Sequence, residues 1–304
     1  MIGGYREPLY LLPFDHRQSY VSGLFDWSPP LNENQQRMVA DSKQVIYEGF
    51  QRAIEDGVPR AAAALLVDEE FGAAIQRDAH ARGFNTVLPV EHSGVDEFEF
   101  EYGDDYPRHV EEFDPAFAKV LVRYNPGGDA VLNRRQAAKL AQFSAYCEKT
   151  KRRFMFELLV PATPAQLEKT GKDKQAYDAN LRPALVGQAI RALQEAGVEP
   201  DVWKIEGLER REDCQQIAAT AQRDGRDGVS CIVLGRGADE AKVVQWLKTA
   251  AGVPGFVGFA VGRTSFWDAL VEYRAKKIAR AEAAHRIAQR YREWMDIFEG
   301  TAPA

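Results

Sequence analysis

Features that mark several protein classes are missing from this sequence of 304 residues. Cysteine is scarce: Cys147, Cys214 and Cys231 lie far apart with no CxxC spacing, which argues against a disulfide framework or a thiolate zinc site. No run approaches the ~18 apolar residues of a membrane span. The start does not resemble a signal peptide, so we expect a cytoplasmic protein with no membrane partner.

Positive charge is not in excess either. The chain has 39 Lys and Arg against 45 Asp and Glu, a net charge of −6, so no basic surplus is available to bind nucleic acid. Its five histidines have no HxH or HExxH spacing, and we therefore expect no protein-bound catalytic metal. What the sequence does have is 45% hydrophobic residues, enough for a large core.

Short apolar runs alternate with segments of helical spacing along the chain. The runs are nearly continuous, which is typical of parallel strands buried on both faces. The predicted strands are Leu9–Phe14, Ala62–Val67, Asn85–Val90, Lys119–Tyr124, Phe154–Val160, Asp201–Ile205, Val229–Leu234 and Phe256–Val261. The predicted helices are Glu33–Glu55, Glu69–Arg82, Asn133–Thr150, Ala176–Ala196, Glu212–Arg223 and Asp239–Ala250.

This alternation predicts an α/β fold, a (β/α)8 TIM barrel formed by one domain over residues 1–304. A doubly wound open sheet is the alternative, but no GxGxxG follows the first strand.

Two segments interrupt the alternation of predicted strands and helices. Residues 91–115 are acidic and aromatic without helical period, and we expect a long loop there, either functional or simply solvated. Residues 276–299 are expected to form an extra C-terminal helix after the eighth barrel helix.

Four polar residues lie within or directly after predicted strands, where a barrel carries its chemistry. Asp15 follows the first strand, Lys119 opens the fourth, Glu157 interrupts the fifth, and Lys204 lies within the sixth. Burial favours the free amine of a lysine, which is the nucleophile of Schiff-base chemistry. Glu157 is placed to move protons on and off an intermediate, and Asp15 to take a hydroxyl proton. Lys119 would raise the local positive potential.

Each of these residues also has a structural interpretation. Lys204 would then pair with Glu157 or Glu206, and Glu157 with Lys204 or Lys119. Lys119 would otherwise extend from the start of its strand to solvent, and Asp15 would cap a turn.

Glycine and arginine follow the last two predicted strands. LGRG ends the seventh strand and VGRTSFW ends the eighth, in the region where barrels frequently bind phosphate. We expect backbone N–H groups and guanidinium groups to hold a phosphate there. The residues concerned are Gly235, Arg236, Gly237, Gly262 and Arg263.

Taken in chain order, the motifs resemble those of a known enzyme family. LYLLPFDHR, PVEHSGVDEFEFEYGDDY, KVLVRYNPGGD, WKIEGLE and AVGRTSFW resemble class I, Schiff-base aldolases of the tagatose-bisphosphate and sulfofructose-phosphate branch. They are most similar to the aldolase-like domain found fused to 5-dehydro-2-deoxygluconokinase in bacterial inositol catabolism. The resemblance covers nearly the whole chain, which has no kinase half.

This resemblance implies cleavage of 2-deoxy-5-keto-gluconate 6-phosphate to dihydroxyacetone phosphate and malonate semialdehyde. Lys204 would form the Schiff base, Glu157 would shuttle protons, Asp15 would take the hydroxyl proton, and Lys119 would support the charge. Gly235, Gly262 and Arg263 would hold the phosphate. Arg17, Arg123 or Arg236 would hold the carboxylate end, and the sequence does not choose among them.

One departure concerns the substrate: IEGL follows Lys204 where the tagatose-bisphosphate branch tends to have an aromatic residue and proline. Three alternatives stay open. One is an aldolase for tagatose 1,6-bisphosphate or sulfofructose phosphate. The second is a metal-dependent lyase or isomerase using Asp15, His16 and Glu91. The third is a sugar-phosphate-binding module without turnover. We expect a homo-oligomer acting on a small phosphorylated sugar, without a cofactor.

Overall fold

Eight parallel strands form a closed barrel in which every strand pairs with its neighbours in chain order, β1 to β8. The computed structural model describes residues 3–301. The strands are β1 Leu9–Pro13, β2 Ala63–Leu66, β3 Asn85–Pro89, β4 Phe117–Arg123, β5 Arg153–Leu159, β6 Val202–Glu206, β7 Ser230–Leu234 and β8 Phe256–Ala260. The predicted (β/α)8 barrel is thus confirmed.

Helices connect the strands and surround the barrel. They are α1 Gln18–Phe25, α2 Glu33–Glu55, α3 Glu69–Ala81, α4 Tyr106–Phe113, α5 Ala130–Thr150, α6 Pro164–Lys169, α7 Lys174–Asn180, α8 Arg182–Glu195, α9 Arg211–Ala221, α10 Glu240–Ala250, α11 Arg263–Arg274 and α12 Arg280–Glu299. None of the helices in residues 3–301 is long and apolar enough to cross a membrane.

The interior of the barrel is apolar at one end and charged at the other. Alternate strand residues point inward, so side chains two apart on one strand form successive layers. Leu9, Val87, Phe117, Met155 and Val202 belong to one buried apolar cluster inside the barrel. The next inward position is Lys119 after Phe117, Glu157 after Met155 and Lys204 after Val202. The strand period therefore stacks a charged layer directly on an apolar one.

The C-terminal helix α12 packs along α2 and closes one side of the helical layer. Gly49 of α2 permits this close packing, because a Cβ there would lie 2.6 Å from a methyl carbon of Ile287. Trp294 of α12 is fully buried, and its indole N–H donates to the Ser265 hydroxyl at 3.0 Å. The expected extra helix is confirmed, with its first residue at Arg280.

Two expectations about secondary structure are wrong. Residues 91–115 are not helix-free, because α4 forms at Tyr106–Phe113 and buries Val110 and Phe113. A helix of eight residues is too short to display a clear period in the sequence. The helix expected over Ala176–Ala196 is divided into α7 and α8. Pro183 lies in the first turn of α8, where proline is tolerated, but it cannot continue the preceding helix.

Substitution of Trp294 by alanine is expected to lower the free energy of unfolding by about 3–5 kcal/mol, because it leaves a cavity in a packed core. Equilibrium unfolding in urea measures this loss. Arg286→Ala on the same helix, which removes exposed ion pairs with Glu272 and Glu282, is the control and should cost less than about 1 kcal/mol. Equal losses in the two variants would contradict the assigned packing of α12.

Candidate active site

A cavity of about 370 Å³ opens at the carboxyl end of the barrel strands. Barrel enzymes carry their active sites at this end. Its lining brings together residues from β4, β5 and β6 and from the segments after β1, β3, β7 and β8. The expected site residues that line it are Asp15, Arg17, Arg123, Glu157, Lys204, Arg236, Gly237, Gly262 and Arg263. Lys119 lies beneath this lining, and Gly235 lies outside it.

Lys119 occupies the centre of a buried cluster of carboxylates. Its Nζ lies 3.0 Å from Asp15 Oδ2, 2.7 Å from Glu91 Oε1 and 2.8 Å from Glu157 Oε2. The side chain is fully buried in the middle of β4, so the interpretation of Lys119 as a lysine extending to solvent is wrong. The strand begins two residues earlier than expected, at Phe117, which places Lys119 on the inward face.

Lys204 has a simpler environment than Lys119. Its Nζ lies 2.9 Å from Glu157 Oε2, and the pairing of β5 with β6 sets the two residues side by side. Only 2% of Lys204 is exposed, yet it lines the cavity. Glu157 therefore bridges the two lysines, one facing the cavity and one beneath it.

The opposite charges of this cluster shift one another's ionisation. Burial lowers the pKa of Lys119, but Asp15, Glu157 and Glu91 outweigh burial and hold that pKa well above its ordinary value. Burial raises the pKa of Asp15 and of Glu157, but Lys119 and Lys204 bring both below their ordinary values. Lys119 is therefore a permanent cation, and Asp15 and Glu157 are carboxylates at neutral pH.

Glu91 and His16 border the same cavity and differ from this pattern. Burial raises the pKa of Glu91, and Asp15 adds to the rise against the opposing effect of Lys119 and Arg17. Its Oε2 is buried and has no hydrogen-bond partner among the described residues 3–301. Burial lowers the pKa of His16 to about 4, so its imidazole is neutral near pH 7. From the sequence, both residues are candidate metal ligands and His16 is also a candidate substrate contact. Glu91 directly follows a predicted strand, which is the same signal that singles out Asp15.

The loop after β7 is a tight turn. Arg236 and Gly237 both have positive φ, 53° and 65°, and the Ala238 N–H donates to the Gly235 carbonyl at 3.0 Å. This is the pattern of a type I′ turn. A Cβ on Gly237 would overlap the guanidinium of Arg263, so a larger residue there would displace that side chain. The N–H of Gly235 donates to Ala260 in the barrel and is thus committed to strand pairing.

The loop after β8 leads directly into the N-terminus of α11. Gly262 precedes the helix without a side-chain cap, and no acidic residue lies in the first turn. Arg263, the first helical residue, is exposed, and no carboxylate within residues 3–301 forms an ion pair with it. A helix N-terminus carries partial positive charge and free N–H groups. The geometry is that of an anion-binding corner.

Two of the other arginines are already neutralised by carboxylates. Arg17 pairs with Glu101 and donates to the Glu91 carbonyl at 2.8 Å. Arg236 pairs with Asp178 at 2.9 Å and with Glu206 at 3.0 Å. The sequence does not distinguish Arg17 and Arg236 from Arg123 as candidates for the carboxylate end, because these partners come from distant segments of the chain.

A second buried ion pair supports the segment that carries Asp15. Lys43 of α2 pairs with Asp68, which caps the N-terminus of α3, and both side chains are fully buried. The Lys43 Nζ also donates to the carbonyl of His16 at 3.0 Å. Sequence analysis missed this pair, because Lys43 lies on a helix with many charged residues and carries no local signal.

Comparison with known proteins agrees with the fold. The model of the family described as "Uncharacterized protein conserved in bacteria (DUF2090)" matches residues 4–301. The chain belongs to this family. No curated protein matches the chain.

Solved structures similar to this member of the family include two fructose-1,6-bisphosphate aldolases. One is a Schiff base forming enzyme, with a TM-score of 0.55 and 14% identity over 95% of this chain and 96% of that chain. The other is archaeal, with a TM-score of 0.59 and 14% identity over 98% of this chain and 96% of that chain. At this identity the likeness concerns the fold.

Replacing Lys119 with methionine is expected to destabilise the protein by about 3–5 kcal/mol at pH 7, because it leaves three buried carboxylates without their cation. Those carboxyls would then bind protons more tightly when folded than when unfolded. The free energy of unfolding of the variant must then fall as pH rises. The loss relative to wild type should therefore be smaller at pH 4 than at pH 7.

Urea unfolding at both pH values measures the effect of Lys119→Met. Lys172→Met removes an exposed lysine paired with Glu168 and serves as the control. A loss that is the same at pH 4 and pH 7 would argue against the central role of Lys119 in the charge cluster.

Proposed function

We propose that this protein is a class I aldolase, a carbon–carbon lyase that cleaves a phosphorylated keto sugar through a Schiff base on Lys204. The observation that carries this proposal is the contrast between two buried lysines. Lys119 is held by three carboxylates beneath the cavity, whereas Lys204 lines the cavity and has Glu157 as its ion-pair partner. A nucleophilic amine needs access to substrate and a nearby base, and Lys204 has both.

In the proposed mechanism, Glu157 takes a proton from the Lys204 ammonium across their 2.9 Å contact. The free amine attacks the ketone carbon, and Glu157 returns the proton to the carbinolamine hydroxyl, which leaves as water. The resulting iminium can accept an electron pair. Lys119 remains an ammonium throughout and stabilises the carboxylate form of Glu157 and Asp15.

Asp15 removes the proton from the hydroxyl on the carbon β to the iminium. That oxygen forms the aldehyde carbonyl, the bond between the α and β carbons breaks, and its electron pair moves into the enamine. Protonation of the enamine and hydrolysis of the imine release the second product and free Lys204. Every electron pair is accounted for without an external oxidant or reductant.

The anion-binding corner at Gly262 and Arg263 suits the phosphate of such a substrate. We propose 2-deoxy-5-keto-gluconate 6-phosphate as the substrate, with dihydroxyacetone phosphate and malonate semialdehyde as products. The support for this choice is the resemblance of the motifs noted above. The two aldolases of similar fold act on another phosphorylated sugar, fructose 1,6-bisphosphate.

Borohydride reduction in the presence of dihydroxyacetone phosphate is expected to attach one reduced triose phosphate to the wild-type protein, located at Lys204 by peptide mass spectrometry. Lys204→Met should give no adduct, whereas Lys172→Met, lacking only a surface lysine, should react like wild type. Absence of an adduct on the wild-type protein would refute the Schiff-base mechanism. An adduct on Lys119 in place of Lys204 would refute the assignment of roles.

Substitution of Arg263 by methionine is expected to raise the concentration of dihydroxyacetone phosphate needed for half-maximal adduct formation by about tenfold, since one charge-assisted contact contributes on that order. The adduct obtained at saturating triose phosphate should remain that of wild type. The same trapping experiment over a concentration series measures both quantities. An unchanged half-maximal concentration would place the phosphate elsewhere.

A further inference from the structure

Four arginines line the cavity, and two of them have a carboxylate partner within residues 3–301 while the other two have none there. Arg17 is paired with Glu101. Arg236 is paired with Asp178 and Glu206. Within residues 3–301, Arg123 and Arg263 form no ion pair. A guanidinium kept at a cavity wall without a counter-ion is prepared for an anionic ligand, because its charge and its donors are otherwise left uncompensated.

Arg123 is held in place by a single backbone contact. It is the last residue of β4 and half-buried, and its Nη1 donates to the carbonyl of Val95 at 2.9 Å. That contact fixes the side chain against the segment after β3 without neutralising its charge. Asp96 lies beside this segment on the cavity lining, but it is exposed and forms no ion pair with Arg123.

The two arginines that form no ion pair within residues 3–301 lie on opposite sides of the barrel. Arg263 follows β8, and Arg123 ends β4, which is four strands away in either direction around the closed sheet. Lys204 on β6 lies midway between them along the sheet. Arg123, Lys204 and Arg263 all line the same cavity, so a ligand bound at both arginines would span the space into which Lys204 opens.

We infer, building on the proposed function of this cavity, that Arg123 binds a second anionic group at the far end of the substrate from its phosphate. The substrate class is therefore a linear phosphorylated keto acid with negative groups at both ends. Arg123 is a specificity-determining residue that selects such substrates over ketose phosphates with a neutral second end. Arg17 and Arg236 are excluded from this role by their own carboxylate partners.

The inference can be tested by direct binding, without catalysis. Isothermal titration calorimetry would compare 6-phosphogluconate, which has a phosphate and a carboxylate at opposite ends, with sorbitol 6-phosphate, which has the phosphate alone. Neither compound contains a ketone, so Schiff-base formation does not contribute. We expect wild type to bind 6-phosphogluconate about tenfold more tightly or better, and Arg123→Met to bind the two compounds equally.

Arg135→Met is the matched control, because Arg135 forms a bidentate pair with Glu97 of the same segment and does not line the cavity. It should keep the preference of wild type. Where Arg123→Met does not fold, Arg123→Gln gives the comparison, since glutamine can still donate to Val95 without carrying charge. Loss of the preference in Arg123→Gln supports the inference, and a retained preference overturns it.

Two further outcomes would overturn the inference: absence of 6-phosphogluconate binding to wild type, and equal binding of the two compounds by wild type. The borohydride adduct with dihydroxyacetone phosphate does not involve the second anion. A normal adduct without a carboxylate preference would therefore reject the role of Arg123 and leave the aldolase proposal intact. A carboxylate preference without an adduct would support the role of Arg123 and reject the aldolase proposal.

Discussion

The ammonium of Lys119 is the interaction on which the rest of the site depends. Three carboxylates, one within a strand and two just after other strands, converge on it within 3.0 Å. Without this buried cation, their mutual repulsion and the cost of burial would force protons onto them or separate the strand ends. With it, Asp15 and Glu157 remain carboxylates beside Lys204. A single inward-facing lysine thus sets the charge state of the groups proposed to move protons.

The strand period explains why this cluster lies where it does. Below the charged layer, the barrel is filled by apolar side chains such as Phe117, Met155 and Val202. The apolar layer offers no hydrogen-bond partners, so the buried charges above it are neutralised by one another. Towards the opening, Arg123 and Arg263 form no ion pair within residues 3–301, whereas Arg17 and Arg236 are neutralised by carboxylates. The site therefore passes from neutralised charge at its base to available positive charge at its rim, which suits an anionic substrate.

Much of the site could be predicted from the sequence because polar residues within buried strands are conspicuous. Asp15, Lys119, Glu157 and Lys204 are recognisable in this way, and the barrel brings them together. Glu91 also directly follows a predicted strand, but its contact with Lys119 could be seen only in the structure. Lys43 and Asp68 left no signal, since an ion pair between a helix and a loop depends on packing across many residues.

The sequence by itself determined the barrel and which strands carry charge, because strand alternation and the count of apolar runs are local properties. Only the tertiary structure decided which lysine faces the cavity and which lies beneath it. It also decided which of four arginines are neutralised: the partners Glu101, Asp178 and Glu206 come from other segments, and ion pairing depends on distance in space. Residues of one type that look similar in the sequence, such as the two strand lysines, therefore differ in their access to the cavity and in their charge partners in the folded protein.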